Sequence, residues 1–121
     1  MTTRMERLEA IASRLPETER VDIEAWGGEP TFRVRGKNFV FASPDASTIS
    51  VKLPLDEAEA IVAMDLHATP TGYGLGRHGW VTITLTGRLG AARWQEVEEW
   101  VETSYTLVAP RRLARQVLDR D

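Results

Sequence analysis

An α+β fold, in which helices pack on one face of a single antiparallel sheet of about five strands, is predicted by three features of this sequence. Strand-like alternation comes as one block over residues 21–53, with one further run over residues 80–86. Helix-period segments flank the block instead of separating every pair of strands, which argues against a parallel βαβ sheet. Turn-forming clusters punctuate the block at Gly27-Gly28-Glu29-Pro30, Gly36-Lys37 and Ser43-Pro44-Asp45-Ala46-Ser47. The predicted order is α-β-β-β-β-α-β-α-α, in one domain spanning residues 1–121.

The first helix is expected over residues 4–15. Thr3 and Glu6 form a capping-box pair, and Met5, Leu8, Ile11, Ala12 and Leu15 fall on one face. Pro16 stops it. Residues 21–26 alternate as a half-buried strand, and residues 31–35 alternate again, with Phe32 and Val34 on one face and Arg33 and Arg35 on the other. Gly36-Lys37 suits a tight hairpin turn, and residues 38–42 return. Residues 48–53 make the next strand. A helix over residues 55–64 follows Pro54, with Asp56 and Glu59 near its positive end.

Residues 66–79 read as a loop with four glycines and one proline, and loops of such length are often functional or mobile. In the strand over residues 80–86, Trp80, Thr82, Thr84 and Thr86 share one face, and Val81, Ile83 and Leu85 share the other. A helix over residues 92–103 sets Val97 and Val101 on a stripe flanked by Trp94 and Trp100. Residues 105–109 form a short exit. Pro110 opens the last helix, over residues 111–119, with Leu113, Val117 and Leu118 as its apolar side.

Composition narrows the function classes. There is no cysteine, so disulfides, thiolate metal sites and a cysteine nucleophile are excluded. No apolar run approaches the roughly 20 residues of a membrane span, and residues 1–6 lack a signal-peptide core. The expected compartment is the cytoplasm, with no membrane partner. The net charge is −3, but it is unevenly spread. Residues 31–53 hold Arg33, Arg35, Lys37 and Lys52 against Asp45 alone. Residues 77–93 hold three arginines and no acid, whereas residues 94–105 hold Glu96, Glu98, Glu99 and Glu102 and no base. Such segregation lets a local field attract an anion despite an acidic total.

Motif by motif, catalytic chemistry finds little footing. His67, His78 and Asp65 share no helical or strand spacing, so no metal site is expected. Gly74-x-Gly76-x-x-Gly79 precedes a strand, whereas dinucleotide binding needs strand, then glycines, then helix. Ser104 lacks a GxSxG elbow and reads as a helix C-terminal hydroxyl bonded to a nearby carbonyl. Tyr105 reads as a packed aromatic with its hydroxyl satisfied. With no acid–base pair or nucleophile constellation, neither enzymatic activity nor a cofactor is expected.

Ordered along the chain are Leu15-Pro16-Glu17, Trp26-Gly27-Gly28-Glu29-Pro30-Thr31-Phe32-Arg33-Val34, Gly36-Lys37-Asn38-Phe39 and Ser50-Val51-Lys52-Leu53. Arg77-His78-Gly79-Trp80-Val81 and Ser104-Tyr105 through Val108-Ala109-Pro110-Arg111-Arg112-Leu113 follow. This set, across about residues 6–114, resembles the MmcQ/YjbR family of small bacterial proteins. The resemblance implies a compact α+β fold with helices on one face of an antiparallel sheet. It also implies DNA binding, the label family members commonly carry from a proposed paired-wing arrangement of strands. The sequence pI of about 5.4 departs from a typical nucleic-acid binder.

The candidate nucleic-acid-binding residues are Arg33, Arg35, Lys37, Lys52, Arg77, His78, Arg111 and Arg112. On the strands they read either as a phosphate-tracking surface or as a solvated face that discourages edge pairing. Arg77 and His78 stand at the mouth of the glycine-rich loop, with Tyr73 or Trp80 as a stacking plane. Arg111 and Arg112, with Arg115, approach a phosphate backbone or form a solvated helix face. The alternative function is a non-enzymatic domain that binds a protein or a small anionic ligand through loop 66–79.

Overall fold

The computed structural model of the protein describes residues 2–120. The expected capping box closes at the chain's first helix. Thr3 Oγ1 accepts from the Glu6 N–H, the Glu6 carboxylate accepts from the Thr3 N–H, and α1 spans Arg4–Ser13. There follow β1 (Thr18–Ile23), β2 (Glu29–Val34), β3 (Lys37–Ala42), β4 (Thr48–Lys52), α2 (Leu55–Met64), β5 (Ala68–Pro70), β6 (Trp80–Thr84), α3 (Ala91–Val108) and α4 (Arg111–Leu118). The strands form one antiparallel sheet in the order β1-β2-β3-β4-β6-β5. Among the described residues, no helix is long and apolar enough to cross a membrane.

Register assigns the two faces. Phe32, Val40, Val51 and Val81 lie in one cross-strand row, and Ala42, Ile49, Ile83 and Ala68 in the next. All eight are buried and belong to the core that α1 and α3 cover with Leu8, Ile11, Val97, Val101 and Tyr105. The opposite face carries Thr31, Phe41, Ser50, Thr82 and Thr69 in one row. Its hydroxyls pair with each other: Ser50 with Thr82 at 2.7 Å, and Thr71 with Thr82 at 3.0 Å. The alternation of β6 is therefore an imprint of its two environments.

Between Phe32 and Arg33 the β2–β3 register shifts, because Phe32 faces Val40 while Arg33 faces Asn38. Phe39 is the extra residue of this bulge. It turns into the core with Val40 and meets Tyr105 edge-on, with ring centroids 5.3 Å apart. Here the β3–β4 ladder is completed by a side chain. Ser104 Oγ donates to the Phe39 carbonyl (2.6 Å) and accepts from the Lys52 N–H (2.8 Å). The Tyr105 hydroxyl donates to the Pro16 carbonyl at 2.6 Å. These long-range bonds carry α3 through to Val108, where a helix end near Thr103 and an exit over residues 105–109 were expected. Local propensity read Ser104-Tyr105-Thr106 as an ending, and tertiary partners for both hydroxyls overrule it.

Other boundaries shift for similar reasons. The first strand begins at Thr18 and ends at Ile23, because Glu24–Trp26 turn as a 3₁₀ segment closed by Gly27 at φ 77°. The hairpin turns on Arg35-Gly36, with Val34 opposite Lys37, one residue earlier than Gly36-Lys37. Loop 66–79 contains the edge strand β5 and a 3₁₀ turn, Leu75–His78. In α4 Leu113, Ala114 and Val117 are buried, whereas Leu118 faces solvent.

Candidate nucleic-acid interface

Antiparallel pairing brings distant cations to one end of the sheet. Thr18 at the start of β1 faces Val34 at the end of β2, which faces Lys37 at the start of β3. Lys52 ends β4 at the same level and faces Trp80, the first residue of β6. This hairpin end therefore collects Arg33, Arg35, Lys37 and Lys52, together with Arg77 and His78 just ahead of β6. Arg33 and Lys52 project from the helix-free face, two positions along from Thr31 and Ser50. Arg33 Nε donates to Thr31 Oγ1 (3.2 Å), and that hydroxyl donates to the Val21 carbonyl (2.7 Å), which aims the guanidinium.

Glu17 interrupts this cationic rim. Its Oε1 accepts from Arg35 Nε at 2.6 Å, and its Oε2 lies 3.4 Å from an Arg112 guanidinium nitrogen. The hydrogen bond from Arg35, with Arg112 beside it, holds the Glu17 carboxyl below its usual range. The structure thus brings Arg35 and Arg112 together, but on a carboxylate. Among the described residues, Arg33, Lys37, Lys52, Arg77 and Arg111 have no carboxylate partner within ion-pairing distance. Arg111 opens α4 and is exposed, in the helical layer rather than on the sheet. Lys37, Arg77 and His78 are exposed as well.

Backbone strain concentrates here. Among the described residues, the non-glycine residues with positive φ are Glu17 (57°), Arg35 (52°), Ala46 (57°) and Tyr73 (59°), and all but Ala46 sit at or beside the hairpin end. Arg35 and Gly36 (φ 78°) give the two positive φ values of a type I′ hairpin, where asparagine would sit more easily than arginine.

The segment leading into β6 is tightly built. The Gly76 N–H donates to the Thr71 carbonyl, the Gly79 N–H to Gly76, and Arg77 Nε to the Gly74 carbonyl. A Cβ on Gly79 would stand 2.2 Å from the Leu53 carbonyl oxygen. Trp80 is buried on the helix-free face, its ring 5.2 Å from that of Phe41, so no ring face is presented for stacking. Tyr73, wholly exposed between Gly72 and Gly74, is the aromatic left to serve as a plane. Asp65, grouped in the sequence with His67 and His78, is taken by Arg93 at 2.7 Å. That pair is the least exposed ion pair of the described residues, with each side chain 20% accessible. The hydrogen bond from Arg93 lowers the Asp65 pKa, and the Arg93 guanidinium also covers Trp100 at 5.1 Å.

The acidic face of α3 is partly neutralised: Glu96 by Arg93, Glu98 by Arg14 and Glu102 by Arg120. Sequence reading missed two features. Glu17 was seen only as a residue before the first strand, because its two arginine partners lie 18 and 95 positions away. Arg4, Arg7 and Arg88, which meet at the opposite end of the sheet, carry no local signature at all.

Comparison with known proteins agrees with this architecture. The solved structure of Deinococcus radiodurans protein DR2400, a DUF419 domain, is similar with a TM-score of 0.70 at 22% identity, over 100% of this chain and 91% of that one. At that identity the likeness bears on the fold alone. No curated protein matches the sequence. The YjbR family model matches residues 13–107, which run from the end of α1 to the last turn of α3 and include both the bulge and the hairpin end; the chain belongs to the YjbR family.

Proposed function

We propose that this YjbR-family protein is a DNA-binding domain that grips the phosphate backbone with the hairpin end of its sheet. One observation carries the reading. Arg33, Lys37, Lys52 and Arg77 come from four separate segments to one end of the sheet, and none has a carboxylate partner among the described residues. Strained non-glycine residues at the same end lend support, since such strain gathers at functional sites. From β2 to β6 the rim crosses three strand spacings, about 14 Å, which matches about four nucleotides of rise along one strand. Tyr73 lies beyond Arg77 as a plane for an unpaired base. The net charge of −3 discourages adhesion elsewhere on the surface.

Fluorescence anisotropy of a labelled duplex, measured across a salt series, tests the proposal. With three to four phosphates neutralised, log K is expected to fall against log salt with a slope of about −3. Lys37→Ala should weaken binding uniformly across sequences and flatten the slope by about one. Absence of binding at low salt, or a Lys37→Ala variant that binds like the parent, would overturn the reading.

Glu17 sharpens the test. Glu17→Gln releases Arg35 and Arg112 without removing either, so the variant is expected to bind DNA more tightly and with a steeper salt slope. The pH dependence has a definite sign. The folded-state pKa of Glu17 is depressed, so its ion pairs contribute stability above the unfolded carboxylate pKa, and that contribution is lost only as pH falls through the lower folded value. DNA affinity should therefore show no Glu17-dependent change in the neutral range, and the gap between parent and Glu17→Gln should close only in acid. A gap that closes near neutrality would show that Glu17 is not held by these arginines.

A further inference from the structure

At the end of the sheet away from the hairpin, a cleft of about 820 Å³ opens between the start of α1 and the connection from β6 to α3. Arg4, Arg7 and Arg88 line it, and Trp94 forms part of its wall. Among the described residues none of the three arginines has a carboxylate within ion-pairing distance, in a protein where Arg14, Arg20, Arg35, Arg93, Arg112 and Arg120 all do. One guanidinium nitrogen of Arg4 donates to the Gly87 carbonyl at 3.0 Å, which fixes the side chain across the cleft. Its Nε is buried and has no hydrogen-bond partner among the described residues. A buried guanidinium N–H without an acceptor is unfavourable. Arg7, on the lining, lies 5.0 Å over the Trp94 ring, held by cation–π attraction.

We infer that this cleft binds a small molecule carrying a phosphate monoester or diphosphate. The charge balance selects the class. Among the described residues, Asp45 is the only acid on the lining, and its Oδ1 already accepts from the Ser43 hydroxyl and the Ser47 N–H. Glu6, in the first turn of α1, accepts from the Thr3 N–H at its Oε1 and is not on the wall. Three cations against one occupied carboxylate leave an excess of two, which suits a dianion and not a single carboxylate. Guanidinium forks bind phosphate oxygens in pairs, and the positive end of the α1 dipole adds to the field. The volume lies within the range of small-ligand sites. The site is separate from the hairpin end and stands whether or not DNA binds there.

Inorganic pyrophosphate is the probe, titrated into the whole protein at constant ionic strength. Two readouts are used: thermal stability, and the amide NMR shifts of residues 87–90. The protein is expected to be stabilised by pyrophosphate and not by an equal ionic strength of chloride, with shifts at Gly87 and Gly90. Arg88→Gln, an exposed position, should fold normally and weaken pyrophosphate binding about tenfold. Arg4→Gln should do at least as much, and its fold is checked by the same spectrum. A duplex arm distinguishes a free phosphate from a nucleic-acid backbone: Arg88→Gln should leave DNA affinity unchanged. Three results would overturn the inference. They are no response beyond chloride, equal pyrophosphate affinity in the parent and Arg88→Gln, or a loss of DNA affinity matching the loss of pyrophosphate affinity.

Discussion

Replacing Gly79 with alanine is expected to destabilise the protein by about 3–5 kcal/mol, or to prevent folding altogether. Two independent effects add. Gly79 has φ +93°, which a residue with a Cβ reaches only at a cost of about 1–2 kcal/mol. The added Cβ would also lie 2.2 Å from the Leu53 carbonyl oxygen, a backbone atom that cannot swing aside. Nor can the strands part freely, because the Leu53 N–H donates to the Gly79 carbonyl at 2.9 Å at the end of the β4–β6 pairing. Gly36 is the control: its φ is +78°, but nothing lies within 4 Å of its would-be Cβ. Gly36→Ala should cost about 1 kcal/mol, from conformation alone. Urea denaturation of both variants separates the terms. If the two cost the same, the collision at Leu53 plays no part. On the proposed DNA-binding reading, Gly79→Ala should also weaken DNA binding in any folded fraction, since Gly79 directly precedes β6 and follows Arg77 and His78.

Ser104→Ala is the second large effect, at about 2–4 kcal/mol, with a fall in Tm on the order of 10 °C. The hydroxyl stands between two backbone groups that would otherwise pair across β3 and β4, and Ser104 is fully buried. Alanine fits the space but leaves the Phe39 carbonyl and the Lys52 N–H without partners in the core. Each orphaned group carries a desolvation penalty of about 1–3 kcal/mol. The bulge at Phe39 keeps the strands from closing on each other, because Phe39 is packed against Tyr105. Chemical denaturation should show a lower midpoint with an unchanged slope. Hydrogen exchange should rise at the Lys52 amide specifically. A variant within about 0.5 kcal/mol of the parent would mean that the ladder closes without the hydroxyl.

The sheet and its helices were legible because their apolar patterns are periodic and local. The Thr3–Glu6 capping box and the helix over residues 55–64 with Pro54 ahead of it appear as read, and the alternating strand expected over residues 80–86 forms but ends at Thr84. The resemblance carried by the ordered glycine, proline and aromatic motifs led to the YjbR family, which the family match over residues 13–107 establishes. Less legible were features whose cause lies far along the chain. Nothing near Ser104 announces that α3 continues, since the partners that keep it helical are on β3 and β4. Tyr105 was read as a packed aromatic with a satisfied hydroxyl, and the structure supplies the satisfying group, the Pro16 carbonyl. Trp80, offered with Tyr73 as a stacking plane, is instead buried, on the face away from the main core.

By itself, then, the sequence determined the element order, the apolar rows that face the helices and the family. These follow from periodicity, capping and turn chemistry, which act over a few residues. Only the tertiary structure decided the electrostatics. Antiparallel register drew Arg33, Lys37, Lys52 and Arg77 to one end, Glu17 took Arg35 and Arg112 out of that set, and Arg4, Arg7 and Arg88 met at the other end. Charge interacts through space, with a strength set by separation and solvent exposure, and neither quantity is written in a list of neighbours along the chain.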